Sequence, residues 1–544
     1  MYNKIARHFS LLIQIIAPVS GRLINKTVME EGYKKLVSNN KHENIHKIIE
    51  SISQHEQTQI TVIPIGKVIF NVPLNNLQSF YYQRLISYIF VRLPFRRSII
   101  VAEYFNKEVV FPMKSEWINK FEKSGVKFNR KLSLKLWNIL QLCLITLEIT
   151  KFIKSLLRWK FVDKDTNKYL SESDLKKVYF YDFPKESLMQ SDAVFKYKNA
   201  LAWIEIKMLK NQKFIALSEH GKYSNNSLYI KFNSIYGSVR IKKEIKIIFN
   251  LIKYIIINIS DYKKIYFLFL NFNEIIEYNR IIHYREHIHS DHIYFNCSLG
   301  ATKPLWAYAA ELIDIDSYLY FYATYAEPRF NVENLQLSGE WKLATWTNYI
   351  VTDSHLKSEL ISVIPEGNQQ FFLHGVPWWI DSNKEIPPKV NTKIVVLDKS
   401  PKDSTYLFSL LATKGGDTFW YQQKFINDIL EACKNLDITI YYKSKRPSNL
   451  MIYNKSLEKL GINSQGRFHI VDEQIAPIRL IEDADLVISR AGSSTALIAS
   501  DAGINSVIYD PGAILNPKDP SIRGGLLVQS KSKLQEVVNQ LFLT

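Results

Sequence analysis

Gly492, Ser493, Ser494 and Thr495 stand between an apolar, β-branched run, Leu486 to Ile488, and a helix-favouring stretch, Ala496 to Ala502, that ends at Gly503. The pattern predicts strand, hydroxyl-rich turn and helix, followed by a further strand at Val507 to Tyr509. At the start of such a helix, backbone N–H groups without intrahelical partners meet the positive end of the helix dipole, which makes the turn an anion site; phosphate is the natural anion. One Ser there could equally be a plain helix cap. Three hydroxyls beside a Gly tip the reading towards a ligand.

Three more groups of polar residues follow apolar runs in the same half of the chain. Asp398 and Ser400 lie in Leu397-Asp-Lys-Ser-Pro401, Lys443 and Arg446 in Tyr442-Lys-Ser-Lys-Arg-Pro447, and Asp510 in Tyr509-Asp-Pro511. In a parallel sheet the loops after the strands gather on one edge, so these residues are expected to face a common cleft. Cations beside a helix start form a phosphate clamp. When a group leaves a phosphate, negative charge grows on the departing oxygen, and Lys443 and Arg446 would stabilise it as an electrostatic acid without a metal. Lys445 reads as a solvated turn residue.

The elements that must position these groups form a clear α/β series. After a polar break at Ser382-Asn-Lys-Glu-Ile-Pro387-Pro388-Lys, strands are expected at Lys393 to Leu397, Ile438 to Tyr442, Phe468 to Val471 and Leu526 to Val528. Helices are expected at Thr418 to Asn435, Asn454 to Leu460, Ile475 to Glu482 and Leu534 to Leu541. Before the break, strands are expected at Val178 to Tyr181, Phe214 to Leu217, Ile265 to Leu270 and Tyr318 to Tyr322, continued by Val351-Thr-Asp353 and Phe371 to Val376. The alternation predicts an α/β fold of two Rossmann-like domains facing a cleft. The boundaries expected are a mostly helical extension over 1–174, a first Rossmann-like domain over 175–385 and a second over 386–544. In the extension, a strand pair at Ile60 to Ile63 and Val68 to Val72 turns through Pro64-Ile-Gly66.

Composition narrows the partners. The 544 residues are 47% hydrophobic, with 31 Tyr and 30 Phe, which describes a folded, aromatic-rich chain. A formal net charge of +18 attracts polyanions. No zinc-finger spacing or RNA-binding aromatic motif accompanies it, so nucleic acid is not expected as a partner. Cys143, Cys297 and Cys433 are too scattered for a disulfide framework. The run Leu11 to Val19 is too short and poorly flanked for a secretory signal, and a cytoplasmic chain is expected. The apolar tracts Leu136 to Thr150 and Ile245 to Ile259, interrupted by Glu148 and Lys253, fall short of the roughly 20 residues of a spanning helix. Flanked by Lys, both are read either as buried helices or as helices in a membrane interface.

The residues around the hydroxyl turn carry a resemblance. Ser493-Ser-Thr-Ala-Leu-Ile-Ala499, with Lys443-Ser-Lys-Arg446, Leu397-Asp-Lys-Ser-Pro401 and Val507-Ile-Tyr-Asp-Pro511, resembles the bacterial surface-polysaccharide biosynthesis proteins named for a Pro-Phe-Thr-Ser motif. Phe321-Tyr-Ala-Thr-Tyr-Ala-Glu327-Pro and Trp346-Thr-Asn-Tyr-Ile-Val extend the likeness over roughly 178–530. This chain departs at the name motif itself, with Ala491-Gly492 in place of Pro-Phe and Ser493 in place of Thr. The resemblance implies a GT-B-like transferase in capsule, O-antigen or related glycan assembly. The Ser-Ser turn is also similar to that of sialyl- and Kdo-transferases, whose donors are CMP-sugars; Ile498 stands where UDP-sugar transferases usually carry a ribose-holding Glu, and the nucleotide is left open between the two.

A transferase also needs a base to take the acceptor hydroxyl proton. Glu327 is the first candidate and Asp182 the second, each following an expected strand of the first domain. His283, His287, His289 and His292 suggest a metal at first sight, but no Cys or fixed acid completes a ligand set, and no metal or cofactor is expected beyond the nucleotide-sugar substrate. The expected function is transfer of a sugar from a nucleotide-sugar to a glycan or lipid-linked acceptor, with the chain peripheral at the inner membrane surface. A nucleotide-sugar epimerase and a non-catalytic assembly partner are the rivals.

Overall fold

The computed structural model describes most of residues 94–157, 176–183, 271–321, 341–375, 391–399, 419–445, 451–513 and 522–543, with shorter stretches elsewhere. Two parallel sheets dominate it. In the first, β1 (Lys176–Tyr181), β2 (Phe214–Ser218), β3 (Leu228–Lys231), β4 (His292–Asn296), β5 (Asp316–Tyr320), β6 (Asn348–Val351) and β7 (Gln370–Leu373) lie in the order β3-β2-β1-β4-β5-β6-β7. In the second, β8 (Thr392–Asp398), β9 (Ile438–Ser444), β10 (Phe468–Val471), β11 (Leu486–Arg490), β12 (Ser506–Tyr509) and β13 (Leu526–Val528) lie in the order β10-β9-β8-β11-β12-β13. Each sheet therefore starts in its middle, grows outward one way, then returns and grows the other way, which is the doubly wound Rossmann order. The order reverses between β1 and β4 in the first sheet and between β8 and β11 in the second.

The second sheet is buried on both faces, as the near-continuous apolar strands require. Side chains of β8 alternate between them. Ile394 and Val396 join a core with Phe425, Ile429, Tyr453, Leu534 and Val538. These come from α7 (Phe419–Ala432), α8 (Met451–Asn463) and α11 (Lys531–Phe542). Val395 and Leu397 join a separate core with Ile478, Ile481, Ile498 and Ala499, from α9 (Pro477–Ile481) and α10 (Thr495–Asp501). In the first sheet, Ile293, Phe295, Leu319 and Val351 pack beneath α4 (Phe272–His283), α5 (Leu305–Glu311) and α6 (Ser354–Val363). On its opposite face Phe180, Tyr294 and Tyr318, paired in register, stack in a row at centroid spacings of 5.7 and 4.9 Å. Such cross-strand aromatic pairs stabilise a sheet beyond area burial.

A third core lies upstream. α1 (Pro94–Phe105) and α2 (Ser115–Lys123) enclose Phe95, Ile99, Phe111, Trp117 and Phe121, with Val28 and Leu36. From it runs α3 (Arg130–Leu157), 28 residues long. The Leu136 to Thr150 tract is thus only the middle of a longer helix, and Arg130–Thr150 is long and apolar enough to cross a membrane. The sequence-based length fell short because charged residues at the tract's ends continue the helix without breaking it. The expected strand pair near residues 60–72 and the strand at Ile265 to Leu270 lie outside the described residues.

Two contacts near β13 tie the second unit together and join it to the first. Gly524 has φ +75°, and a Cβ there would lie 2.4 Å from Leu497 Cα in α10. Its neighbour Arg523 places Nη1 3.0 Å from Asp353 Oδ1, the carboxylate that caps α6 by accepting from Leu356 N. Gly524→Ala therefore adds a backbone clash to left-handed strain and should cost about 3 kcal/mol. Gly503→Ala, at φ +74° but in open space, should cost about 1 kcal/mol. Urea unfolding followed by tryptophan fluorescence checks the ranking; equal losses would refute the packing role of Gly524.

Candidate functional site

In an open α/β sheet, ligands bind outside the carboxyl ends of the strands where the strand order reverses. In the second sheet that point lies between β8 and β11. The pairing aligns Ser489 with Leu397, Leu397 with Lys443, Asp398 with Ser444 and Arg490 with Tyr509. One row of the sheet thus ends in Asp398, Lys443, Ser444, Arg490 and, one residue beyond β12, Asp510. The turn leading to α10 sits on the same edge, since it follows β11 directly.

The two acids of this row lie beneath the surface. Asp398 and Arg490 are 3% exposed each and form an ion pair at 3.1 Å. Asp398 Oδ1 also accepts from Lys399 N at 2.6 Å, while Oδ2 accepts from Gln422 Nε2 at 2.6 Å and Tyr442 OH at 2.8 Å. Arg490 lies over the Tyr421 ring, 5.0 Å from its centroid, and Tyr421 OH donates to Asp510 Oδ1. Asp510 Oδ2 accepts from Leu515 N at 2.9 Å and Gln529 Nε2 at 3.0 Å. Burial, then the Asp510 charge, pushes the Tyr421 phenol far above its usual range, so it stays a donor. Asp398 and Asp510, read from the sequence as ligand-facing, instead anchor one buried network. Arg490, Tyr421, Gln422 and Gln529 complete it, and no sequence motif had singled them out. A cation closing an otherwise apolar buried strand was the signal for Arg490, because a buried guanidinium demands an acid nearby.

Lys443 lies as deep as these acids, and the hydroxyls of the turn are half-buried. Lys443 is 4% exposed, and its ammonium donates to Glu473 O at 3.0 Å and Ser444 O at 3.2 Å. Burial outweighs the nearby Glu473 and Asp472 charges and lowers its pKa to about 8. Ser493 Oγ and Thr495 Oγ1 are 2.7 Å apart, and Thr495 Oγ1 is 2.9 Å from Ser489 Oγ, which ties the turn to β11. Ser494 occupies the cap position of α10 but makes no side-chain capping bond, whereas Ser493 Oγ accepts from Thr495 N at 3.4 Å, so the plain capping alternative fails for Ser494 and holds in part for Ser493. The structure brings Lys443, Ser493, Ser494 and Thr495 to the same edge as Asp398 and Asp510. Ser400, Arg446 and Gly492 lie outside the described residues.

On the first sheet the reversal point falls at the ends of β1 and β4. Phe183, Asn296 and Cys297 are buried there. Asp182 and Glu327, the expected bases, lie outside the described residues. Tyr320 stacks on His374 at 5.0 Å, and His374 Nε2 lies 2.9 Å from Phe321 O. Burial lowers the His374 pKa to about 4, so the ring is neutral near pH 7. Sequence reasoning passed over this His, although it directly follows the apolar run that forms β7. Of the four clustered His, His292 opens β4 and His283 Nδ1 lies 2.9 Å from Asn279 O in α4. His287 and His289 lie outside the described residues. Among the described residues no three His, Cys, Asp or Glu side chains converge as a metal would require.

Two expected outcomes follow. Removing one partner of a buried ion pair costs about 3–5 kcal/mol, so Asp398→Ala and Arg490→Met should each lower the unfolding free energy by that amount. The double variant should lose clearly less than the sum, as a urea-unfolding double-mutant cycle would show; strict additivity would refute the coupling. For Lys443, the folded pKa of about 8 lies below the ordinary 10.5, so between these values the unfolded chain holds more protons and stability rises with pH. The penalty is complete below about pH 8 and fades towards 10.5. Between pH 8 and 10 the wild type should therefore gain stability relative to Lys443→Met; parallel profiles would count against a buried ammonium.

Comparison with solved structures returns distant likenesses. A UDP-GlcNAc 2-epimerase from Methanocaldococcus jannaschii aligns at TM-score 0.35 and 12% identity, over 67% of this chain and 91% of that one. Acinetobacter baumannii MurG aligns at 0.30 and 12%, over 68% and 90%. A UDP-GlcNAc 2-epimerase from Neisseria meningitidis, solved with UDP-GlcNAc bound, aligns at 0.34 and 10%, over 67% and 90%. At such scores no property of those proteins carries over. No curated protein matches the chain. Residues 265–538, just over half of the chain, match the profile described as polysaccharide biosynthesis PFTS motif protein. That span takes in the strand-end row, the hydroxyl turn and β4 to β13, and by it the chain belongs to the family of polysaccharide biosynthesis PFTS motif proteins.

Proposed function

We propose that the chain is a glycosyltransferase that moves a sugar from a CMP- or UDP-linked donor to a surface-polysaccharide or lipid-linked glycan acceptor. The observation that carries this reading is that Lys443 and the Ser493, Ser494 and Thr495 hydroxyls stand on the one carboxyl edge where the second sheet reverses its order, with the Lys443 ammonium held by Glu473 O and Ser444 O. Membership of a polysaccharide biosynthesis family supports the substrate class. In this reading the donor phosphate rests against the start of α10, with Lys443 and Arg446 beside it and Gly492 allowing close backbone approach. Charge growing on the leaving phosphate is met by these fixed donors, which favours departure without a metal. Asp398 and Asp510 hold Arg490 and Tyr421 rather than touching the donor. Glu327, or failing it Asp182, takes the acceptor hydroxyl proton. The acceptor is presented at the cytoplasmic face of the inner membrane.

Mass spectrometry of CMP-, UDP- and GDP-sugar consumption tests the proposal. The wild type should consume one donor class, and Lys443→Ala and Ser494→Ala should each lower kcat/KM by about 10–1000-fold. Nucleotide binding without turnover would favour a non-catalytic assembly partner. Interconversion of the sugar with the nucleotide still attached would favour an epimerase.

A further inference from the structure

A helix on a water-facing surface turns its apolar side inward and its polar side out. α3 departs from this: Leu134 and Trp137 pack inward, but polar side chains are buried beside them and apolar ones are left outside. Its inward face carries Ser133, Gln141 and Glu148, at 0%, 3% and 2% exposure. Their spacings of eight and seven place them on one side of the helix. Ser133 Oγ accepts from Phe111 N at 3.3 Å, and Glu148 Oε2 accepts from Asn273 Nδ2 of α4 at 2.6 Å. The outward face carries Ile139, Leu142, Leu147 and Ile149, at 56%, 65%, 48% and 36% exposure. Polar side chains packed against protein and apolar ones directed away from it are the arrangement that a hydrocarbon surrounding selects.

The attachments fix how the helix meets that surrounding. Ser133 is held by Phe111, Trp137 meets Trp117 at 5.8 Å, and Glu148 is held by Asn273, so one side of α3 is fastened to protein along most of its length. A helix so fastened lies along a surface rather than crossing it. Charge identifies the surface. Lys131 and Lys135 are exposed in line with Leu142, and no acidic residue is exposed on α3 within Arg130–Thr150. A second copy of this face would therefore offer those ammonium groups no counter-charge, whereas phospholipid headgroups would. Ile245, Phe249 and Ile256 are exposed at helical spacing too, beside exposed Lys246 and Lys253.

We propose that α3 is a monotopic docking helix, lying in the interface of an anionic phospholipid bilayer with Ile139, Leu142, Leu147 and Ile149 at the acyl boundary and Lys131 and Lys135 among headgroup phosphates. The inference deepens the membrane-side transfer proposed above by supplying its attachment, yet it rests on α3 alone and not on donor chemistry.

Cys143 lies on the exposed side of α3, while Cys297 and Cys433 are buried, so an environment-sensitive fluorophore can be placed on Cys143 of the intact chain. Vesicles of phosphatidylcholine with about 30% phosphatidylglycerol should shift its emission to the blue, and phosphatidylcholine alone should do so weakly. A shallow nitroxide quencher should act more strongly than a deep one. In flotation of unlabelled protein, Leu142→Glu/Leu147→Glu should reduce vesicle binding at least about tenfold, and Lys131→Glu/Lys135→Glu should abolish the preference for anionic lipid. No emission change with either vesicle would overturn the proposal. So would a change that follows protein concentration without vesicles, which indicates pairing of two copies, or stronger quenching by the deep probe, which indicates a spanning helix. Donor consumption, measured without vesicles on the same samples, separates failure of docking from failure of the transferase reading.

Discussion

The second sheet depends on one buried ion pair. Where its strand order reverses, β8 and β11 run side by side while the connections that follow them diverge, and Asp398 and Arg490 meet at their ends. Withdrawing two charges from water costs several kcal/mol for each, and only dense hydrogen bonding offsets it. Asp398 has that bonding from Lys399, Gln422 and Tyr442 in addition to Arg490. Through Tyr421 the arrangement continues to Asp510 and so to the end of β12. The polar edge is therefore built on a network whose members have no slack to reorient. Preorganised donors of this kind favour charge that develops during a reaction, because they do not have to rearrange to meet it.

How much of this could be read from residues alone varied with their chemistry. In the second unit, strands are short β-branched runs bounded by turn residues, and the expected Phe468 to Val471 and Leu526 to Val528 coincide with β10 and β13. In the first unit β4 was hidden, because His292-Ile-Tyr-Phe-Asn296 follows three other His and reads as part of a polar turn. β5, expected from Tyr318, begins two residues earlier at Asp316, because the polar Asp316 and Ser317 pair with β4 as the aromatic residues do. The site was legible as a set of strand ends but not in depth. A sequence shows that Asp398 follows an apolar run; it does not show that four donors close around the carboxylate. Glu327, Asp182, Ser400, Arg446 and Gly492 lie outside the described residues.

α3 shows the same division between pattern and placement. Its apolar tract was evident, and so was Glu148 within it, which invited the reading of a tract cut short. The positions of Ser133, Gln141 and Glu148 repeat at helical spacing and could have been recognised as one face. Which face meets protein is decided by Phe111, Trp117 and Asn273, which come from three other parts of the chain. Periodicity gives the two sides of a helix; only tertiary contacts assign them.

Arg523 and Gly524 are adjacent, and each holds a different body. Gly524 is pressed onto the backbone of α10 at Leu497, and Arg523 grips the carboxylate that caps α6 in the other unit. Leu497 in α10 and Asp353 at the mouth of α6 are thus joined through two adjacent residues. The two units therefore meet through a guanidinium as well as through the proline-bearing connector.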